Sequence, residues 1–214
     1  MFVRAPHCLP LDEIECFIAK KSHWLKQKLL EQKLSIQNTT HSAINYTQGS
    51  KILYLGEEKC LDIQFQKTSN IEISEQYIDV TLSKRQQKSI LSSEDLALCV
   101  KQQLARFFNQ QLQEYLSIKL PVLIEKLQLY PTKHKVRLYK SRWGSCNSRG
   151  ELSFNYLLMM TPTWVIDYVI IHELCHLQHL NHSAHFWNLV STFEPNYKQA
   201  KHWLKENQTR LVWN

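Results

Sequence analysis

The sequence predicts an α+β protein, with a helical lobe whose histidine-rich helix packs on a small antiparallel sheet, and a β-rich portion nearer the N-terminus. Two observations support this class. Apolar residues recur every three or four positions in several long segments, which indicates amphipathic helices. In other segments apolar and polar residues alternate, which indicates strands. We therefore expect two domains, residues 1–90 with one helix and the first strands, and residues 91–214 with the helical lobe.

In the N-terminal half, the spacing of the apolar residues changes twice. Residues 11–33 predict a helix, because apolar residues recur at helical spacing with lysines between them. Residues 51–82 predict short antiparallel strands. A second helix starts near Ser92, where S-S-E-D supplies an N-cap and an acidic residue close to the third helical position, and it continues towards Leu116. Pro121 then predicts the first residue of another short helix.

The C-terminal half begins with a predicted hairpin over residues 134–158, whose turn NSRG contains Gly150. Thr161 and Pro162 predict the N-cap and first residue of a helix that continues to about His179.

Two more helices follow. Ser183 is the predicted N-cap of the first, which places Phe186, Val190 and Phe193 on one face. Pro195 marks a break before the second.

Composition limits the function classes. The chain has 214 residues, 43% of them hydrophobic, which suffices for one sizeable core. No signal peptide and no bilayer-length apolar run is visible, so we expect a cytoplasmic protein with no membrane partner. The six cysteines form no C-x-x-C pair and are expected to be free thiols. The net charge of +7 permits nucleic acid or a nucleotide as partner, but the basic residues are scattered, which favours a solvated basic surface.

A metal site is predicted near the C-terminus, where five of the ten histidines lie between residues 172 and 185. The pattern H-E-L-C-H places His172 and His176 one turn apart on the same helix face, so both can reach one Zn²⁺. Glu173 lies next to the first ligand, where it can contact a water molecule at the metal. We expect one zinc ion per chain, although other divalent ions bind similar sites.

The third ligand could be His179, His182 or His185. Three ligands on one straight helix would spread over about 10 Å of its axis, which does not close a tetrahedron, and this disfavours His179. His182 can approach the metal from a new direction if the chain turns back near Asn181, a residue that tolerates the left-handed conformation. We therefore predict His182 as the third ligand.

Two segments, R-W-G-S-C from Arg142 to Cys146 and H-E-L-C-H…N-H-S…F-W from His172 to Trp187, closely resemble the signature of the YgjP-like metallopeptidase-domain family. That family is similar in design to SprT-like and WLM-type zinc peptidases. The resemblance implies a zincin-like catalytic lobe, with His172, His176 and His182 as ligands and Glu173 as the base. Family members usually carry more strands before the segment that starts here at Val3, so we expect either a shortened N-terminal sheet or a misassigned start codon.

Substrate contacts are expected from the R-W-G-S-C segment, because in zincins an edge strand runs over the metal cleft and can pair with an extended peptide. The alternative is a structural strand end, with Trp143 in the core and Gly144 in a bulge. Cys146 is disfavoured as a nucleophile because no base accompanies it. The candidates for substrate binding are Arg142, Trp143, Ser145 and His179, and the candidates for stabilising an oxyanion are Arg142, Tyr156 and His179.

Three functions remain open. We favour a zinc-dependent metallopeptidase, acting on a peptide or protein, with Glu173 as general base. Some members of the family it resembles are described as UTP pyrophosphatases, so a nucleotide pyrophosphatase with the same metal site is the first alternative. The positive charge favours that alternative, and the lack of any phosphate-binding glycine loop disfavours it. The second is a non-catalytic zinc module that binds nucleic acid or protein, against which Glu173 argues, since a structural site needs no base.

Overall fold

A computed structural model describes residues 5–6, 9–38 and 45–211 of the chain. The chain divides into two compact units, residues 1–42 and residues 43–214. The first unit contains helix α1 (Leu11–Asn38), which confirms the helix predicted over residues 11–33. The expectation of a shortened N-terminal sheet concerns the segment around Val3, outside the described residues. The domain boundary expected at residue 90 stays a prediction.

The first sheet of the second unit has four strands, β1 (Lys51–Tyr54), β2 (Glu57–Gln66), β3 (Asn70–Ile73) and β4 (Tyr77–Ser83), in the order β1-β2-β4-β3. The strands lie where alternation predicts them. However, β2 and β4 run parallel, so the expectation of antiparallel strands throughout was wrong for this pair. The β3–β4 hairpin folds back so that β4 inserts between β2 and β3. Alternation of apolar residues reports a half-buried strand but not the direction of its neighbour.

A tight turn joins β1 to β2 at Leu55 and Gly56, both of which have positive φ, 50° and 86°. This is the geometry that suits a two-residue hairpin. The N–H of Leu55 donates to the carbonyl of Met159 at 2.7 Å. A Cβ atom on Gly56 would lie 2.5 Å from Cγ of Pro162. The turn is therefore fitted closely against the segment that leads into the helix carrying His172.

Helices α2 (Lys84–Ser89) and α3 (Ser93–Leu127) follow the sheet. Ser92 is the N-cap of α3 in a capping box with Asp95, as predicted. The helix continues through Pro121, so the expectation of a separate helix starting there was wrong. Pro121 is exposed, and the buried side chains on both sides of it keep the helix packed despite the proline. The buried residues of α3 are Val100, Leu104, Phe108, Leu112, Leu116, Leu120, Leu123 and Leu127.

The second sheet has three strands, β5 (Lys133–Arg137), β6 (Gly144–Cys146) and β7 (Glu151–Asn155), in the order β5-β7-β6. Strands β6 and β7 form the hairpin expected around the NSRG turn. Strand β5 instead pairs parallel to β7 on its other side, so the expectation of one antiparallel hairpin from residue 134 was wrong for this strand. The six-residue connection between β5 and β6 allows the chain to cross over.

A 3-10 helix (Tyr156–Met160) leads to α4 (Thr163–Cys175), α5 (Ala184–Phe193) and α6 (Tyr197–Glu206). Helix α4 has Pro162 rather than Thr161 as its N-cap, and it ends at Cys175 rather than near residue 179. Nine of its thirteen residues are buried, and a helix that is apolar on nearly all sides belongs in the interior. It packs against α3, α5, α6 and β6.

Two further expectations concern cysteines and membranes. Of the six cysteines, those in the described part are free thiols, namely Cys16, Cys60, Cys99, Cys146 and Cys175, and Cys8 lies outside the described residues. Among the described helices, none has both the length and the apolar character that a bilayer-spanning segment needs.

Candidate metal centre

Three histidine rings converge at the C-terminal end of α4. His172 lies in the last turn of the helix, and His176 is its C-cap. His182 comes from the short connection that returns to α5. The Nε2 atom of His172 lies 3.2 Å from Nε2 of His176 and 3.1 Å from Nε2 of His182. The structure thus brings together the three residues that the sequence predicts as metal ligands.

The spacing of these nitrogens fits a metal ion. Tetrahedral zinc with bonds of about 2.0–2.1 Å to nitrogen places its ligand atoms roughly 3.3 Å apart. The observed 3.1 and 3.2 Å are close to that value. One Nε2 atom cannot serve two others as a hydrogen-bond donor, whereas a cation between them satisfies all three lone pairs. The three residues form a group that can hold a metal ion.

The other ring nitrogens of two ligands are held by neighbouring groups. Nδ1 of His176 lies 2.9 Å from the carbonyl oxygen of His179. Because a carbonyl only accepts, this Nδ1 carries the proton and leaves the Nε2 lone pair for a metal. Nδ1 of His172 lies 3.4 Å from the hydroxyl of Tyr168, one helical turn earlier. These contacts orient both rings so that their Nε2 atoms face the space between the three histidines.

Aromatic side chains of α5 pack against the imidazoles. Phe186 is fully buried, and its ring stacks on His176 with centroids 4.5 Å apart. Trp187 stacks on His182 with centroids 5.4 Å apart. Both rings thus pack against the histidines from the side of α5.

The surroundings favour neutral imidazoles. Burial lowers the pKa of His172 to about 3, and the nearby His176, His182 and Lys201 act in the same direction. Burial also lowers the pKa of His182. A neutral imidazole is the form that binds a metal, so these shifts prepare the site for a cation at neutral pH.

Glu173 lies beside the ligands on α4 and is only 5% exposed. Burial raises its pKa to about 8, and the positive charge of Arg142 acts in the opposite direction. A cation at the imidazoles would add to the effect of Arg142. Strand β6 passes very close to this carboxylate, because a Cβ atom on Gly144 would lie 2.6 Å from both Cγ and Oε1 of Glu173. Only glycine leaves room there for the glutamate.

The site opens into a cavity of about 470 Å³. The three histidines and Glu173 lie in its wall, together with Arg142, Trp143 and Ser145, whose role in substrate binding stays a prediction. The complete lining is Arg142, Trp143, Gly144, Ser145, Cys146, Tyr168, Val169, His172, Glu173, His176, Leu180, His182 and Leu204.

Two sequence candidates lie elsewhere. The ring of His179 faces His185, with centroids 6.2 Å apart, and only its carbonyl serves the site. Tyr156 is buried in the 3-10 helix. Neither residue lines the cavity, so Arg142 is the oxyanion candidate that does. The role of His179 in substrate binding stays a prediction.

Strand β6 presents a free edge at the cavity. The carbonyl of Trp143 accepts from the N–H of Asn155 at 2.8 Å, and the N–H of Asn147 donates to the carbonyl of Glu151 at 3.1 Å. The main-chain groups of Trp143 and Asn147 therefore face β7. Because alternate residues of a strand direct these groups to opposite sides, those of Gly144 and Cys146 point away from β7. Because β6 is the last strand in the sheet order, these groups are available to a further strand.

A family model described as "YgjP-like, metallopeptidase domain" matches residues 1–207. The chain belongs to the YgjP-like family. The resemblance carried by the R-W-G-S-C and H-E-L-C-H segments is thereby confirmed, and membership supports a metal-dependent hydrolase. No curated protein and no solved structure matches the chain.

Sequence reasoning missed several residues of this YgjP-like site. Tyr168 could have been found, because it lies four residues before His172 and so on the same helix face. The approach of Gly144 to Glu173, and the lining by Leu180 and Leu204, join distant parts of the chain and leave no local signal. The thiol of Cys146 also lines the cavity, but burial and the charge of Glu173 raise its pKa, which argues against a nucleophile.

Proposed function

We propose that this YgjP-like protein is a zinc-dependent metallopeptidase that uses Glu173 as general base. The observation that carries the proposal is the convergence of three imidazole Nε2 atoms beside a buried carboxylate, at a cavity bordered by the outer edge of strand β6. Three protein ligands with one open position are typical of catalytic rather than structural zinc. When bound, the ion supplies a Lewis acid that lowers the pKa of a water molecule and polarises the scissile carbonyl.

Glu173 handles the proton in this proposal. Its carboxylate accepts a proton from the attacking water and later delivers it to the nitrogen of the departing amine. Burial supports this role, since it raises the proton affinity of the carboxylate. Gly144 holds no side chain against the carboxylate, so Glu173 can lie directly beneath the strand that would carry the substrate.

The edge of β6 favours a peptide as substrate. An extended peptide can pair with the outward main-chain groups of Gly144 and Cys146 and lie as an additional strand across the cavity. Such pairing recognises a peptide backbone, which a nucleotide lacks. The outer edge of β6 therefore supports the proposal of peptide hydrolysis over phosphoanhydride hydrolysis.

The test compares wild type with Glu173→Gln in tag-free protein. We expect wild type to contain about one zinc per chain by elemental analysis and to cleave members of a mixed peptide library, as read by mass spectrometry. A chelator should abolish cleavage, and added zinc should restore it. Glu173→Gln should retain the zinc and lose at least about 100-fold in rate, as expected for a general base.

Glu125→Gln is the matched control, because Glu125 is an exposed carboxylate on α3 outside the cavity. It should cleave like wild type. Nucleoside triphosphates are assayed in parallel. Chelator-sensitive hydrolysis of triphosphates without peptide cleavage would replace the peptidase proposal with the pyrophosphatase. Bound zinc without either activity would favour a non-catalytic module.

A further inference from the structure

A second cavity, of about 530 Å³, adjoins the metal cavity. The two share Arg142 and Trp143 in their walls, so both cavities border the same short segment of the chain. The function proposed above assigns no role to this space. Its lining includes Leu138, Tyr139, Lys140 and Asn155 besides the two shared residues.

The charges in this second cavity have one sign. Lys140 and Arg142 are positive, and no aspartate or glutamate belongs to its lining. Within the described part of the chain, neither residue makes an ion pair. The guanidinium carbon of Arg142 lies 5.4 Å from the centroid of the Tyr139 ring, and that of Arg137 lies 4.7 Å from the same ring. The walls otherwise present leucine side chains and neutral polar groups, so the cavity suits a ligand with an apolar body and one negative group.

The wall between the two cavities is held by hydrogen bonds. Asn155 is 2% exposed, and its Nδ2 donates to the carbonyls of Tyr139 at 3.0 Å and Arg142 at 3.1 Å. The hydroxyl of Tyr139 lies 2.7 Å from that of Ser145, which links the second cavity to β6. The cations are therefore attached to a segment whose backbone is fixed relative to the edge strand.

Antiparallel pairing, which is commoner than parallel pairing between strands, gives a peptide bound at β6 one direction. A peptide that pairs antiparallel with this strand runs from the Cys146 end towards Gly144, which lies against Glu173. Its next residues then pass Trp143 and Arg142, the two residues that also line the second cavity, and can enter it from there. The residues that arrive there are those on the C-terminal side of the scissile bond.

We propose that the second cavity binds a carboxylate of the peptide substrate, on the C-terminal side of the bond that is cleaved, and that Lys140 is a specificity-determining residue for it. The carboxylate belongs either to an acidic side chain or to the C-terminus of the substrate. The proposal rests on the peptidase function stated above. Lys140 lines the second cavity and not the metal cavity, which allows its contribution to be measured separately from catalysis.

The experiment measures binding without turnover. Fluorescein-labelled hexapeptides are titrated, by anisotropy, with protein that carries Glu173→Gln. In the first series the C-terminus is amidated and a single Glu stands at one of the last three positions. The second series is identical except that Gln replaces this Glu. One further peptide contains Gln and ends in a free carboxylate. We expect a peptide carrying a carboxylate at one of these places to bind about fivefold more tightly than its neutral counterpart, as for one partly exposed charge pair.

Adding Lys140→Gln should remove this preference and leave the affinity for neutral peptides unchanged. Lys135→Gln is the matched control, because Lys135 is an exposed lysine on β5 outside both cavities, and it should keep the preference. Equal binding of charged and neutral peptides, or a preference that survives Lys140→Gln, overturns the proposal even if wild type cleaves peptides. Lys140-dependent binding of a nucleoside triphosphate alone also overturns it, since the cavity would then serve phosphate.

Discussion

At the scale of single residues, the candidate metal site depends on the groups that hold the three histidines as much as on the histidines themselves. The carbonyl of His179 determines which nitrogen of His176 carries the proton. Phe186 packs against all three imidazole rings and covers them on that side. A histidine that the sequence marks as a candidate ligand thus contributes through its backbone, and an apolar residue shapes the electrostatics of the metal position.

Gly144→Ala should disturb Glu173 without removing a ligand. The new Cβ atom would lie 2.6 Å from Cγ and Oε1 of Glu173, so the carboxylate must move. We expect a loss of at least about tenfold in the rate of hydrolysis, consistent with misplacement of a catalytic group by about 1 Å. The overpacking should also cost about 1–3 kcal/mol of stability. Rate assays and denaturant unfolding measure the two effects.

Zinc content is the control for this variant, because the three histidines are unchanged. Zinc that remains stoichiometric while the rate falls supports the contact between Gly144 and Glu173. An unaltered rate would contradict the idea that β6 needs a glycine at this point.

At the scale of secondary-structure elements, the return from α4 to α5 completes the site. The helix ends at Cys175, and backbone bonds from Leu177 to Leu174 and from His179 to Cys175 tighten the chain beyond it. The reversal does not use a left-handed Asn181 as expected, since the described residues with positive φ do not include it. Instead, Oδ1 of Asn181 accepts from the N–H of Ser183 at 3.3 Å. The Asn181 side chain thus takes the place of a backbone carbonyl in the hydrogen bond that closes the turn.

Ser183→Ala should loosen this return. The Oγ atom of Ser183 caps α5 by accepting from the N–H of Phe186, and loss of a serine N-cap costs about 1 kcal/mol. Because His182 directly precedes the cap, fraying of α5 should also weaken zinc binding, by about three- to tenfold. Competition with a chromogenic chelator measures the affinity, and thermal unfolding measures the stability.

Ser191→Ala is the matched control in the same helix. Its hydroxyl donates to the carbonyl of Asn188 in the helix interior and caps nothing, so we expect changes of less than about 0.5 kcal/mol. If both serine variants lose zinc affinity equally, the cap has no specific role in holding His182.

At the scale of the whole molecule, the buried carboxylate makes stability depend on pH. The pKa of Glu173 is raised from 4.5 to about 8 by burial, so between these values the folded state holds a proton that the unfolded state has released. The stabilisation from protonated Glu173 is therefore fully present below pH 4.5 and is lost as the pH rises through 8. This effect of ionising Glu173 applies to the protein without a metal ion.

Metal-free Glu173→Gln should accordingly be more stable than metal-free wild type at pH 8, with the difference closing as the pH falls to 4.5. The slope approaches 1.4 kcal/mol per pH unit, the value of about one proton. Denaturant unfolding across this pH range, in chelator, measures the difference. Glu125→Gln should show no such trend, and a difference for Glu173→Gln that does not vary with pH would mean that the carboxyl is solvated.

Much of the site was predictable because it is encoded locally. His172 and His176 share a face whenever the segment is helical. The N-caps Ser92 and Ser183 predict the starts of α3 and α5. The choice of His182 followed from the geometry of tetrahedral coordination, which excludes three ligands on one straight helix. The sheets were less predictable. Alternating residues located the strands but could not show that β2 pairs parallel with β4, or β5 with β7.

The sequence by itself determined which side chains have the chemistry of a metal site, since spacing along one helix and the identity of turn residues are local properties. Only the tertiary structure decided how Gly144 meets Glu173, which edge of β6 faces the cavity, and that Lys140 and Arg142 line a second cavity beside the first. These arrangements depend on contacts between segments far apart in the chain. No local sequence pattern predicts such contacts, because a strand with the same alternation of apolar residues, or a side chain with the same charge, can pair with many partners.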